Sequence, residues 1–353
     1  MKNRGIFRFP ALLVAASLCL AGCAASQEVS NRGHSAGLFA MGTYMNLTAY
    51  GDQAEPALDE AENRVIEWEA LWSATDENSE IYAVNHSRGD AVPLSPETEE
   101  LLQFALEMAG QTGGALDPTI YPLVKAWGFI NQEYHVPSES EIEELLPLTG
   151  YEKVVLENHT VTLPEGMQLD LGAVGKGYTG ERLADYLKGQ GITSALLDIG
   201  GNIQMVGGKP DGTRWRLGIK NPFGEGNVGV LEAEDSAVVT SGGYERNFTD
   251  EDGTTYWHIL DPATGRPADS GLASVTIIAD SGVLADALST AIFVMGLEEG
   301  SEYWRTHGGF DMLLMAQDGE IYLTEGIEDD FTLEDAFSDR EIQVIQECIF
   351  PAG

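Results

Sequence analysis

Cysteine is almost missing from this chain: there are three in 353 residues, at positions 19, 23 and 348. Cys19 and Cys23 belong to an apolar N-terminal stretch and its end, which leaves Cys348 alone. An internal disulfide framework and a cysteine-based zinc site are therefore excluded. Positive charge is scarce as well, with 19 Lys and Arg against 57 Asp and Glu and a net charge of −38. Binding a nucleic-acid backbone needs clustered cations, so nucleic acid is a poor partner. Such a charge repels anions at long range, so an anionic ligand needs a local remedy such as a metal ion. No segment is long and apolar enough to span a membrane, and there is no internal repeat or low-complexity tract.

What is present starts with a targeting segment. Lys2, Arg4 and Arg8 form a basic region, and Ala11 to Leu20 form a short apolar one. Leu20-Ala21-Gly22-Cys23 then resembles the lipobox of bacterial lipoproteins. The pattern predicts a signal peptide over 1–22, lipid on Cys23, a polar tether over 23–37 and a single domain over 38–353. The product would be exported and anchored to the cell membrane through Cys23. Removing the signal takes away three positive charges and no negative ones, moving the net charge from −38 to −41. The remaining length suffices for one large domain with a substantial core.

Periodicity gives a coarse map of the domain. Met41 to Tyr50 reads as a strand ended by Gly51. Leu58, Ala61, Val65, Trp68 and Trp72 recur at helical spacing. Ser95-Pro96 opens a helix through Met108, and Ser138 with Glu141 forms a capping box. Strands are predicted at Val154–Leu156, Ala195–Ile199, Arg214–Ile219, Val228–Leu231, Tyr256–Leu260 and Ser274–Ile278. Ser281 caps a helix through Met295, and Asp311–Ala316 with Glu320–Leu323 reads as a hairpin. Short turns join several neighbouring strands, so the fold class is α+β with mostly antiparallel sheet and packed helices.

The segment from Asp170 to Leu187, DLGAVGKGYTGERLADYL, places four glycines between a strand-like and a helix-like stretch. A glycine-rich turn entering a helix suits a phosphate, though packing alone also accounts for such glycines. A Walker A loop is excluded by Asp170 and Gly177 at its required positions, and the glycine spacing is not that of the dinucleotide fingerprint. Asp286 and Thr290 lie four residues apart on one helix face, which suits a hard cation or is a plain polar spot on a buried helix. His258, in YWHILDPATGRP, is a candidate general base or a structural strand histidine. Thr240 to Gly243 reads as a loop, and Asp117-Pro118 as a turn.

In order, MGTYMNL, GGALDPT, DLGAVGKGY, DIGGNI, TSGGYERNF, HILDPATGRP and VLADALSTAIFVMG closely resemble the ApbE-like FAD:protein FMN transferase family. The resemblance runs from Met41 to about Leu323. It implies an α+β fold that binds FAD with Mg²⁺ and moves FMN onto a Thr or Ser hydroxyl of an acceptor flavoprotein, releasing AMP. Subunits of membrane redox complexes are acceptors in that family. By the same resemblance, Asp286, Thr290 and the Ala173 carbonyl are metal ligands, with Asp286 essential to catalysis. Met41, Ala115, Leu116, Asp117, Asp170, Lys176 and Leu260 line the flavin nucleotide, and His258 transfers a proton. Two departures stand out. Many members carry a Tyr where this chain offers Ala74 or Thr75, and some place a second Asp where it has Ser289. The site would equally serve an FAD pyrophosphatase with water as acceptor; the Asp286/Thr290 pair and His258 argue against a third reading, a flavin-binding lipoprotein without chemistry.

Overall fold

The computed structural model describes residues 32–347, so the predicted signal peptide, Cys23 and Cys348 lie outside the described residues. Its centre is a nine-stranded sheet whose spatial order follows the chain. The strands are β1 (Gly33–Ala40), β2 (Thr43–Tyr50), β3 (Ala195–Ile199), β4 (Asn202–Val206), β5 (Ala237–Gly242), β6 (Leu272–Ala279), β7 (Phe310–Ala316), β8 (Ile321–Thr324) and β9 (Ile342–Ile345). Every neighbouring pair is antiparallel except β8 and β9. The expected α+β class with mostly antiparallel pairing is what the chain adopts.

Both faces of this sheet are covered, which explains runs such as FDMLLMA in β7. Met312 and Leu314 point into one buried cluster, and Leu313 and Met315 into another. Side chains alternate across a strand, so a continuous apolar run feeds two cores. The first core lies under four long helices, α1 (Ala54–Trp72), α2 (Pro96–Gln111), α3 (Gly175–Gly189) and α4 (Gly282–His307). The second lies under a three-stranded sheet made of Trp215–Lys220, Asn227–Ala233 and Phe331–Leu333. A smaller cluster of Leu123, Trp127, Phe129, Ile142 and Leu260 sits apart.

Helix ends follow the sequence signals. Ser95 and Ser138 accept the N–H groups of Thr98 and Glu141, and the Ser138–Glu141 capping box is complete. In α4 the helical dihedrals stop at Gly296, where φ is 82°, and the helix then resumes to His307. The predicted end at Met295 thus marks a real break inside a longer element.

Three local expectations change. Gly33 to Gly37, assigned to the tether, belongs to β1 and pairs with β2, while Met41 and Gly42 form the turn between them. The GHSAGLFA strand has few β-formers, so it carried little strand signal. Thr240 to Gly242, read as loop, is the end of β5, flanked by β4 and β6. The predicted strand over Tyr256–Leu260 is broken at His258 and Ile259, between short strands at Thr255–Trp257 and Leu260–Asp261.

Candidate active site

The segment preceding α3 is held rigidly from two sides. Buried Asn85 accepts the Leu169 N–H at 2.6 Å and donates to the Leu169 carbonyl at 2.9 Å. Asp170 N–H donates to the Pro118 carbonyl at 2.7 Å, tying the glycine segment to the Asp117 turn. The Asp170 carboxylate accepts the Gly172 N–H at 2.8 Å. Burial pushes the Asp170 carboxyl up from its ordinary value, opposed by that hydrogen bond and the charges of Arg246 and Lys176.

Two glycines of this segment, Gly177 and Gly180, serve close approach to other elements. Gly172, Gly175, Gly177 and Gly180 are absent from the residues with positive φ, so no left-handed turn calls for them. A Cβ on Gly177 would fall against the Gly282 carbonyl and lie 2.5 Å from Asp286 Cβ, so only glycine lets α3 and α4 cross here. Gly180 is similarly pressed on Gln204. The Gly177 amide is also occupied, donating to Asp286 Oδ2 at 2.8 Å.

That bond sets the geometry of the candidate metal ligands. Asp286 is 3 % exposed, and its Oδ1 lies 3.6 Å from Lys176 Nζ, which also reaches the Gly172 carbonyl at 3.3 Å. A buried carboxylate needs such a partner. Thr290, one turn on, is half-buried, with its hydroxyl 3.4 Å from Ser241 Oγ. Ser241 Oγ also meets Ser289 Oγ at 2.8 Å, and Ser289 Oγ–H donates to the Asp286 carbonyl at 2.8 Å. β5 therefore brings a third hydroxyl to the Ser289–Thr290 pair. The backbone N–H that would close a helical turn onto Ala173 is that of Gly177, which goes to Asp286, and no other backbone amide among the described residues donates to the Ala173 carbonyl.

One carboxylate, one hydroxyl and one carbonyl without an amide donor form a hard-oxygen set that fits Mg²⁺, which keeps several waters when bound. Among the described residues no group of three or more His, Cys, Asp or Glu could hold a metal. A cation at this place would rest on the single carboxylate, neutral oxygens and water.

His258 sits in the bend between its two short strands. Its backbone N–H donates to the Arg246 carbonyl at 3.0 Å, and its Nδ1 lies 3.2 Å from the same oxygen. A carbonyl only accepts, so Nδ1 carries the proton and Nε2 keeps its lone pair. Burial, with the nearby charges of Arg246 and Lys176, pushes the imidazole down to about 4, so it is neutral at pH 7. Arg246 is itself fixed by donating to the Phe129 carbonyl at 2.7 Å. Lys176 and Arg246 act on both Asp170 and His258, which places these four groups in one electrostatic neighbourhood.

The other predicted positions divide. Met41 occupies the β1–β2 turn with φ of 50°; its N–H donates to Glu69 at 2.6 Å and its sulfur lies 3.7 Å from Thr179 Oγ1 on α3. Ala115 is half-buried. The Asp117 carboxylate is taken up inside the protein, accepting Thr119 N–H and Oγ1–H at 2.8 and 2.6 Å and Tyr151 N–H at 3.0 Å. Burial nevertheless raises its carboxyl above the ordinary value. Leu116 and Leu260 turn their side chains into the main core and the small cluster. Contacts from these three positions to a nucleotide would come from the main chain. Ala74, at the first departure, accepts a 3.5 Å bond from Tyr121 OH, whose ionisation burial and the Asp170 charge both oppose. Sequence reasoning missed Glu69, which accepts the Met41 N–H, and Arg246, which lay in the motif TSGGYERNF without a role.

The model of the ApbE family matches residues 41–314, and the chain belongs to that family. It is 33 % identical to the FAD:protein FMN transferase of Treponema pallidum (strain Nichols), over 95 % of this chain and 98 % of that one. A relative of the same name from Vibrio cholerae is 33 % identical over 81 % of this chain and 87 % of its own length. Among solved structures, the ApbE protein of Thermotoga maritima superimposes with a TM-score of 0.80 at 32 % identity, covering 85 % of this chain and 99 % of that one. The flavin transferase ApbE of Vibrio cholerae gives 0.77 at 29 % identity, with 85 % and 99 % covered.

Proposed function

We propose that the chain is an FAD:protein FMN transferase. Its substrates are FAD and an acceptor flavoprotein, such as a subunit of a membrane redox complex. The FMN half of FAD passes to a Thr or Ser hydroxyl of the acceptor through a phosphoester bond, and AMP is released. The observation that carries this reading is the buried Asp286, bonded to Gly177 N–H and 3.6 Å from Lys176, a cation whose charge also reaches the neutral His258.

Asp286, Thr290 and the Ala173 carbonyl would hold Mg²⁺, which when bound neutralises the pyrophosphate and polarises the phosphorus under attack. Lys176 and Arg246 bring positive charge to an anionic substrate in a protein of net charge −38. Nε2 of His258, left free by the bond at Nδ1, takes the proton of the acceptor hydroxyl. The acceptor oxygen bonds to the phosphorus of the FMN half as that phosphorus separates from the oxygen of AMP, which carries the electron pair away. Asp170, Met41 and the main chain of Ala115, Leu116, Asp117 and Leu260 would position the nucleotide.

The test incubates the full chain in detergent with FAD, Mg²⁺ and a recombinant acceptor domain. Covalent FMN on the acceptor supports transfer. FMN and AMP in solution with an unlabelled acceptor mean hydrolysis, and bound but unchanged FAD means storage; either outcome refutes the proposal. We further propose export and anchoring through lipid on Cys23, supported by the basic and apolar regions before it and the Leu20–Cys23 motif. Mass spectrometry of the N-terminal peptide checks this, and an unmodified, unprocessed N-terminus would refute it.

A further inference from the structure

We propose that Glu181 is a positioning residue for Asp286, an inference that rests on the metal-assisted reading above. The candidate ligands ride on separate elements: Ala173 precedes α3, whereas Asp286 and Thr290 lie on α4. Their mutual placement therefore depends on α3 and α4 keeping one register.

Hydrogen bonds cross this junction in opposite directions. α3 gives the Gly177 N–H to Asp286 Oδ2. One turn further along α3, Glu181 Oε2 accepts Ser281 Oγ–H at 2.6 Å and Val283 N–H at 3.2 Å. Val283 is in the first turn of α4, where N–H groups have no partner within the helix, and a carboxylate there also meets the positive end of the helix dipole. Ser281 meanwhile accepts Leu284 N–H at 3.3 Å, so the cap of α4 is shared between its own serine and the neighbouring helix.

Between these bonds the helices touch through Gly177 and Gly282, with Gly180 against β4. The space they enclose with Asn202 and Gln204 has no room for a water molecule. Asn202 Nδ2 and Gln204 Oε1 are left buried there without partners. Orphaned buried polar groups are unfavourable, so the junction stays closed against an opposing cost. Glu181 is the charged group that pins the end of α4 from which Asp286 projects.

The experiment measures Mn²⁺ binding to the full chain in detergent by electron paramagnetic resonance, together with melting temperature. Glu181→Ala is expected to weaken Mn²⁺ binding about tenfold or more, the usual effect of losing a group that orients a ligand. Glu181→Gln keeps an oxygen at the same place and is expected to restore binding. Ser95→Ala removes the cap of α2, away from this junction, and is expected to lower the melting temperature while leaving Mn²⁺ affinity unchanged. Unchanged affinity in Glu181→Ala, or an equal loss in Ser95→Ala, overturns the proposal. A wild-type chain that binds no Mn²⁺ overturns the metal reading itself, and Glu181 with it.

Discussion

Replacing Gly177 with alanine sets two physical effects of opposite sign against each other. In an open helix position, Gly→Ala stabilises by about 1 kcal/mol, because glycine gives up more backbone freedom. At 177 the added methyl would lie 2.5 Å from Asp286 Cβ and 2.8 Å from the Gly282 carbonyl carbon. Carbon atoms pack at about 3.5 Å, so α4 must retreat by about 1 Å. Neither contact is the far end of a flexible side chain, so the strain cannot be relieved by a rotamer change. Overpacking of this kind costs about 1–3 kcal/mol, which outweighs the helix-propensity gain. The same retreat lengthens the Gly177–Asp286 bond, and a 1 Å displacement at a catalytic group costs about 10²-fold in rate. Gly189 is the control, since a Cβ there meets nothing within 4 Å. Urea melts and covalent FMN transfer to the acceptor domain, measured on both variants, decide the matter. Gly177→Ala should lose stability and nearly all turnover, while Gly189→Ala keeps both. A Gly177→Ala protein that gains stability and retains turnover would show that α3 and α4 do not meet as described.

Three further outcomes are expected. Asp286→Asn should abolish transfer while FAD still binds, checked by flavin fluorescence titration beside the transfer assay; undiminished turnover would remove Asp286 from the chemistry. His258 has a folded pKa of about 4 against an ordinary 6.5, so on acidification the unfolded chain takes up the proton first. Its contribution to stability is present above about pH 6.5 and is lost as pH falls toward 4. In urea melts, His258→Gln should flatten that part of the pH profile, and identical wild-type and variant slopes would contradict the assignment. Asn85→Ala removes both hydrogen bonds to Leu169 and leaves buried backbone groups unpaired, at about 2–4 kcal/mol, with a matching fall in the urea midpoint.

What could be read from the sequence was local chemistry with a fixed spacing. Ser95-Pro96 and the Ser138–Glu141 box mark helix starts because a cap needs only its own next three residues. The i, i+4 spacing of Asp286 and Thr290 shows that they share a face, and the ordered motifs point to the family. The function of a glycine depends on what lies opposite. Gly177 faces Asp286, 109 residues away, so its spacing suggested a phosphate while its actual neighbour is a helix. The His258 contact was hidden for the same reason: the Arg246 carbonyl that accepts its N–H and faces its Nδ1 comes from the other strand of a hairpin, one place beyond the Asn247–Trp257 pair. Asp117 shows the converse, since a turn signature was visible but the donors that consume its carboxylate, Thr119 and Tyr151, were not. The acidity of the chain then explains why the two cations near His258 matter. With 19 basic residues in the whole sequence, Lys176 and Arg246 offset the carboxylates of Asp170 and Asp286 around a neutral His258, so the site is locally relieved of the protein's negative field. Such relief is what an anionic dinucleotide needs before it can approach. Replacing either cation should therefore raise the FAD concentration required for turnover, and more so at low salt.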